Sequence, residues 1–201
     1  MNSKVITLCN LMIVSMVLSG CGMKRTAFNQ RTFVLEAPLS HPQQKTNKDV
    51  ILDVQSFNSE TAFGTKNLVY RKGGSEYETD FYNQFLIRPE DMITEQARNW
   101  LSKSGLFKWV LEPGSYAEAT HLLQGNIIAL YGDFREESSP KATMEINFFI
   151  VNSSEKSIVF GKTYEAVSGF ADKTAESLVE AYGDCLVKIL SDLERDLQEQ
   201  L

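Results

Sequence analysis

The residue types that carry enzyme chemistry are few in this chain and poorly placed for it. His41 and His121 are its only histidines, and neither belongs to a His-x-x-x-His pair. The three cysteines, Cys9, Cys21 and Cys185, stand far apart, so no metal site is expected. There is no Gly-rich phosphate loop and no Gly-x-Ser-x-Gly elbow, so no nucleotide-hydrolysing subunit is expected. Ser138 with Lys141, and Ser153 with Lys156, match Ser-x-x-Lys. That chemistry needs the serine to open a helix with the lysine one turn above it. Both matches fall in turns between strand-like runs, and no Lys-Thr-Gly accompanies them. Asp133, Glu136 and Glu137 are read as a solvated charged loop. No cofactor and no enzymatic activity are expected. A hydrolase built around a perturbed acid or His121 is the least supported reading.

The chemistry that the sequence does encode is acylation. Val5 to Leu18 is an almost continuous apolar run behind Lys4, and it leads into Leu18-Ser19-Gly20-Cys21. Fourteen helical residues reach about 21 Å, short of the roughly 30 Å of a hydrocarbon core, so the run reads as a signal-peptide core. An aliphatic residue, two small residues and a cysteine form a bacterial lipobox. The thiol takes a diacylglyceryl thioether, the small residues admit the peptidase, and the freed amine is acylated with a fatty chain such as palmitate. Removal of residues 1–20 takes one lysine and no acid, leaving a side-chain charge of −7. Several acyl chains, at about 0.8 kcal/mol per buried CH₂, hold such a chain firmly on a bilayer. Gly22 follows the acylated cysteine where Asp would signal inner-membrane retention, which favours the periplasmic side of the outer membrane. Residues 21–31 read as a polar tether of at most about 35 Å. Once Cys9 is removed and Cys21 acylated, Cys185 has no partner for a disulfide. Its spacing from Tyr182 and Ile189 puts it on an apolar helix face, as a buried and inert thiol.

The rest must position whatever else the chain does. At 201 residues, with 43% hydrophobic and 23% charged residues, the chain has the material for one packed domain, residues 32–201. Its net charge of −6 argues against a nucleic-acid partner. Short strands are expected at Thr32–Ala37 and Val50–Phe57. A hairpin is expected from Asn67–Arg71 and Glu76–Phe81 across Gly73-Gly74, where glycines accept positive φ. Pro89 opens a helix with Glu90 and Asp91 in its first turn, and Gly105 closes it. A strand over Phe107–Leu111 follows, and then a meander over His121–Tyr131, Ala142–Val151 and Lys156–Val167. A last helix, with Asp172 as N-cap, runs to about Gln200 and carries a wide apolar stripe that must be covered. A coiled coil is the alternative for that stripe. Packing of both helices on a mainly antiparallel sheet gives an α+β fold.

One stretch stands out. Tyr70, Tyr77, Phe81, Tyr82 and Phe85 place five aromatics in sixteen residues, in a chain that is 10% aromatic. They read either as core, beside Trp100 and Trp109, or as a contact surface, since such residues are enriched at interfaces.

The residues of this stretch carry a family resemblance. Asn67-Leu68-Val69-Tyr70-Arg71 is followed by Tyr77 and Asp80-Phe81-Tyr82-Asn83-Gln84-Phe85. Arg88-Pro89 and a helix ending Ser104-Gly105-Leu106-Phe107 come next. In this order, with Leu123-Gln124-Gly125-Asn126-Ile127 and a long terminal helix, the chain resembles the ABC-type transport auxiliary lipoproteins of the PqiC-like group. Phe85 stands where that family often has Trp. The resemblance implies an accessory subunit of a system that moves lipids between the two membranes of a Gram-negative envelope. Its implied partners are an Mce-domain periplasmic protein and the permease and ATPase behind it. It also implies that Tyr70, Arg71, Tyr77, Tyr82 and Phe85 contribute to docking, and it allows a homo-oligomer that matches the partner's symmetry. The alternative is a structural or assembly lipoprotein of another envelope complex.

Overall fold

The computed structural model describes residues 29–38 and 48–200. The expected signal peptide, the expected acylation site Cys21, most of the expected tether and the segment around His41 lie outside the described residues. The strands are β1 (Arg31–Phe33), β2 (Lys48–Val54), β3 (Asn58–Ser59), β4 (Asn67–Arg71), β5 (Tyr77–Phe85), β6 (Phe107–Leu111), β7 (His121–Asp133), β8 (Lys141–Asn152) and β9 (Ser157–Gly169). The helices are α1 (Pro89–Ser104) and α2 (Ala175–Gln200). Both pack on one nine-stranded sheet, so the fold is α+β.

The sheet departs from the mainly antiparallel arrangement expected. It is mixed, with β7 as its spine. On one side, β2, β3 and β4 run parallel to β7 in succession, at His121–Leu123, Asn126–Ile127 and Gly132–Asp133. Beyond them, β6 pairs parallel with β2, β5 pairs antiparallel with β4, and β1 pairs parallel with β5. On the other side, β8 and β9 form the expected meander, in long antiparallel ladders. Antiparallel neighbours are joined by short turns that the sequence shows directly. Parallel neighbours need a crossover, so their pairing leaves no local signal.

The elements form largely where patterning puts them. Pro89 occupies the first turn of α1 with Glu90 and Asp91, and Gly105 ends it in the left-handed conformation, φ 76°. On α2, Thr174 caps the first turn in place of Asp172: its Oγ1 accepts the Ser177 N–H at 3.2 Å. The wide stripe of α2, including Leu178, Tyr182, Leu186, Ile189, Leu190 and Leu193, is buried against β8 and β9 within the domain. Packing therefore replaces the coiled-coil alternative. Trp100 Nε1 on α1 donates to Glu194 Oε2 on α2 at 2.7 Å, tying the helices together. Trp109 does not join the core with Trp100; it is exposed on β6.

The first expected strand is cut to three residues. Val34 to Pro38 leaves the sheet, buries Leu35, and crosses α2 at Gly183, where an added Cβ would stand 2.8 Å from the Glu36 carbonyl oxygen. Glycine lowers helix stability but here admits a crossing backbone. The Ala37 N–H donates to Gln96 Oε1 on α1 at 3.1 Å, so this segment is held between the two helices. Cys185 is buried, as expected. Burial pushes its thiol up to about 12, and its Sγ lies 3.7 Å from the Ala142 carbonyl oxygen.

Candidate functional site

The β4–β5 hairpin carries all five residues expected to dock a partner, and the structure divides them between surface and interior. Its turn forms at Lys72–Glu76, where the N–H groups of Lys72 and Gly73 both reach the Glu76 carbonyl oxygen. Neither Gly73 nor Gly74 takes a positive φ. Arg71 closes on the backbone of the turn, donating from Nη2 to the Gly74 carbonyl at 2.7 Å and from Nε to the Gly73 carbonyl at 3.3 Å.

Arg71 also donates from Nη1 to the Tyr131 hydroxyl at 3.2 Å. Its guanidinium stands 5.6 Å from the Tyr77 ring centroid and 5.7 Å from that of Tyr131. The two tyrosine rings meet edge to face at 5.6 Å, and Phe63 stacks on Tyr131 at 6.0 Å. A cation held over aromatic faces in this way is favourable and fixes the rings. Tyr77 remains 45% exposed on top of the cluster. Sequence reading missed Phe63 and Tyr131. The first lies between the expected elements, and the second is brought in by the parallel β4–β7 pairing, which has no local signature.

Tyr70 points the other way. Its hydroxyl donates to Asp80 Oδ2 at 2.6 Å, and its ring meets Phe134 edge to face at 5.4 Å. Burial first, and then Asp80, raise the phenol pKa far above its ordinary value. Asp80 in turn organises the strand. Its Oδ1 accepts the N–H groups of Tyr82 and Asn83 at 2.8 and 3.0 Å, and its Oδ2 also accepts from Asn83 Nδ2 at 2.8 Å. Burial works against this carboxylate, but these hydrogen bonds outweigh it and hold its pKa below the usual carboxylate range.

The result is a bulge. β4 advances two residues from Asn67 to Val69, while β5 runs five between their partners, Gln84 and Thr79. The surplus, around Asp80 to Asn83, is left out of the ladder, and a bulge of this kind re-aims side chains. Phe81 and Tyr82 project from it as an aromatic knuckle, 63% and 50% exposed, with rings edge to face at 5.5 Å.

Phe85 corrects the sequence expectation. It is 2% exposed and packs against Tyr182 of α2 at 6.2 Å, so it belongs to the core and not to a contact surface. Of the five residues, Tyr77 and Tyr82 are exposed, Arg71 and Tyr70 are half-buried supports, and Phe85 lies beneath.

Two clefts flank this region and the far end of β7. One of about 340 Å³ lies between the hairpin and the start of α2, lined by Tyr70, Lys72, Asp80, Phe134, Lys173 and Thr174. The Lys72 ammonium sits 4.7 Å over the Phe134 ring. Asp80, held ionised and already engaged by four donors, is poorly suited to move a proton. A second, of about 740 Å³, is lined by Asp53, Glu112, Thr120, Asn152 and Ser153. Beside it, His121 opens β7 with its Nδ1 2.9 Å from Thr120 Oγ1. Among the described residues, no three His, Cys, Asp or Glu side chains gather in a way that could hold a metal ion.

No family model matches the chain, and no curated protein matches it in sequence. Solved structures do match. A Xanthomonas campestris protein described by the family model DUF330 is similar at a TM-score of 0.65 and 18% identity, over 82% of this chain and 90% of that one. A second structure, described only as an uncharacterized protein, is similar at 0.60 and 9% identity, over 78% of this chain and 96% of that one. A hypothetical protein from Chlamydia trachomatis is similar at 0.50 and 10% identity, over 75% of this chain and 98% of that one. At such identities the likeness establishes a shared fold.

Proposed function

We propose that this chain is a lipoprotein of the Gram-negative envelope, anchored through Cys21 on the periplasmic side of the outer membrane. It serves there as an accessory subunit of an ABC/Mce-type intermembrane lipid transport system, and it is not itself an enzyme. The observation that carries the reading is Leu18-Ser19-Gly20-Cys21 behind an apolar run too short to span a bilayer, in a chain whose residues 67–107 resemble the PqiC-like lipoproteins. The shared fold with the DUF330 protein supports it.

In this reading the docking surface centres on Tyr77. Tyr and Arg are favoured at energetically dominant interface positions, and a ring already immobilised by Arg71, Tyr131 and Phe63 loses little freedom on binding. The partner is an Mce-domain periplasmic protein connected to its permease and ATPase. A homo-oligomer would multiply weak contacts with an oligomeric partner.

Affinity purification of the tagged, full-length protein from gently solubilised native membranes tests the proposal, with mass spectrometry of what co-purifies. An Mce-domain protein with a permease and an ATPase is expected, and Tyr77→Ala lowers its recovery without loss of fold. Recovery of only barrel or cell-wall proteins overturns the transport role and favours the assembly-lipoprotein alternative. Gly22→Asp is expected to move the protein into the inner-membrane fraction on a density gradient.

A further inference from the structure

The other end of β5 carries a second surface, and the path of the chain says what it meets. The chain enters the domain along β1, which is hydrogen-bonded in register with β5: Arg31 pairs with Asn83 and Phe33 with Phe85. Just before it, Gln30 Nε2 donates to the Phe81 carbonyl oxygen at 3.2 Å. The first described residues therefore lie against the knuckle. Asn29 is eight residues after Cys21, a span of at most about 29 Å when fully extended. A domain hung on so short a tether keeps this side within reach of the bilayer that holds its acyl chains.

The side chains there suit that surface. The Leu86 N–H donates to the Phe33 carbonyl oxygen at 2.8 Å, closing the Phe33–Phe85 pair, and Val34 and Leu86 are the next residues of the two segments. Phe33 and Phe85 pack on the core, whereas Val34 and Leu86, just past the ends of the two strands, are turned outward. They are 51% and 53% exposed, and Ile87 is exposed next to them. With Phe81 and Tyr82, five large apolar side chains are exposed along β5 and at the ends of β1 and β5, and exposed apolar clusters mark interaction surfaces. Tyr is suited to a boundary where one end of the ring is apolar and the other wet. Cations stand at the strip's margin. Lys66 Nζ donates to the Leu86 carbonyl oxygen at 2.9 Å, and the exposed Arg88, which pairs with Glu90 and Asp91, follows Ile87.

We propose that Phe81, Tyr82, Val34, Leu86 and Ile87 form a bilayer-contact surface that seats the domain on the membrane holding its anchor. The proposal rests on the lipid-anchor reading. Acyl chains alone would leave the domain free to tumble on its tether. The strip fixes its orientation, with Lys66 and Arg88 at the level of the headgroups.

The test uses the full-length acylated protein in vesicles of phosphatidylethanolamine and phosphatidylglycerol, with a nitrobenzoxadiazole probe on Leu86→Cys. Cys185 is buried and Cys21 is blocked by its thioether, so the new thiol takes the label. The acyl mass on Cys21 is measured on the same sample. The proposal expects the probe's emission to shift to the blue on vesicles and to be quenched by nitroxide lipids. It also expects the shift to disappear in Phe81→Glu/Tyr82→Glu and to weaken in Val34→Glu, with circular dichroism unchanged. A probe on Glu112→Cys is expected to stay in water throughout. An acylated protein whose position-86 probe stays in water overturns the bilayer contact and leaves the anchor standing. A shift that grows with protein concentration without vesicles also overturns it, and assigns the strip to a second copy. An unacylated Cys21 removes the anchor reading, and this proposal with it.

Discussion

Asp80 accepts four hydrogen bonds within its bulge, from Tyr70, from the Asn83 side chain, and from the backbone of Tyr82 and Asn83. Because the fold lowers its pKa, Asp80 contributes stability above the ordinary value of 3.8 and loses it as the pH falls through the folded value. Asp196 behaves alike: burial opposes its charge, but Lys162 Nζ and the Tyr164 hydroxyl, each at 2.6 Å, hold its pKa low. Asp80→Asn is therefore expected to narrow the difference in urea midpoint between neutral pH and pH below 3.8. Asp196→Asn narrows it further, because the two groups sit on different elements and act independently. Phe85→Ala empties a site against Tyr182 and is expected to cost about 3–5 kcal/mol in urea unfolding. Tyr77→Ala leaves an exposed position, and its effect on stability stays within about 1 kcal/mol. A Phe85 variant that loses partner recovery without losing stability would contradict the assignment of this ring to the core. The identity of these aromatics was legible in the sequence, but their division was not. An aromatic at Phe81 and one at Phe85 look alike until the bulge shows which is turned outward.

At the scale of elements, the crossing of α2 by Val34–Pro38 turns on Gly183. Alanine there would raise helix propensity by about 0.5–1 kcal/mol. It would also drive a methyl group into the Glu36 carbonyl, where overpacking costs about 1–3 kcal/mol. Gly183→Ala is expected to destabilise the domain in thermal melts, and to speed hydrogen exchange at Leu35 and Ala37 ahead of the rest. Both helices and the β7–β8–β9 meander could be read from periodicity and from Pro89 and Gly105. The hairpin was legible too, although its glycines do not take the positive φ expected of them. The two-residue β3 and the parallel ladders were not legible. Their partners lie far along the chain, and a strand as short as Asn58–Ser59 carries no alternation. The bulge escaped notice because an aspartate that accepts backbone N–H groups is indistinguishable, in sequence, from any exposed acid.

At the scale of the whole molecule, the protected centre is β7 with β8 and α2, since β7 is flanked along both edges and α2 covers the sheet. Amide exchange is expected to be slowest in Leu123, Ile127 and Ile146 and fastest in the exposed segment 112–118. A hydrogen-exchange profile with β2 and β6 as the slowest strands would contradict that centre. The spine has a further consequence for how the chain is made. Each of β2, β3 and β4 has an edge that β7 fills, and β7 is synthesised after all of them. Loop closure over such separations is slow, and contacts distant in sequence delay folding. In a chain that emerges from its N-terminus, β2 and β4, with Leu52, Val54, Leu68 and Val69, would keep one edge open even after pairing with β6 and β5. Until His121 to Asp133 emerges, those open edges can pair with any other strand, and whatever occupies them must let go when the spine arrives.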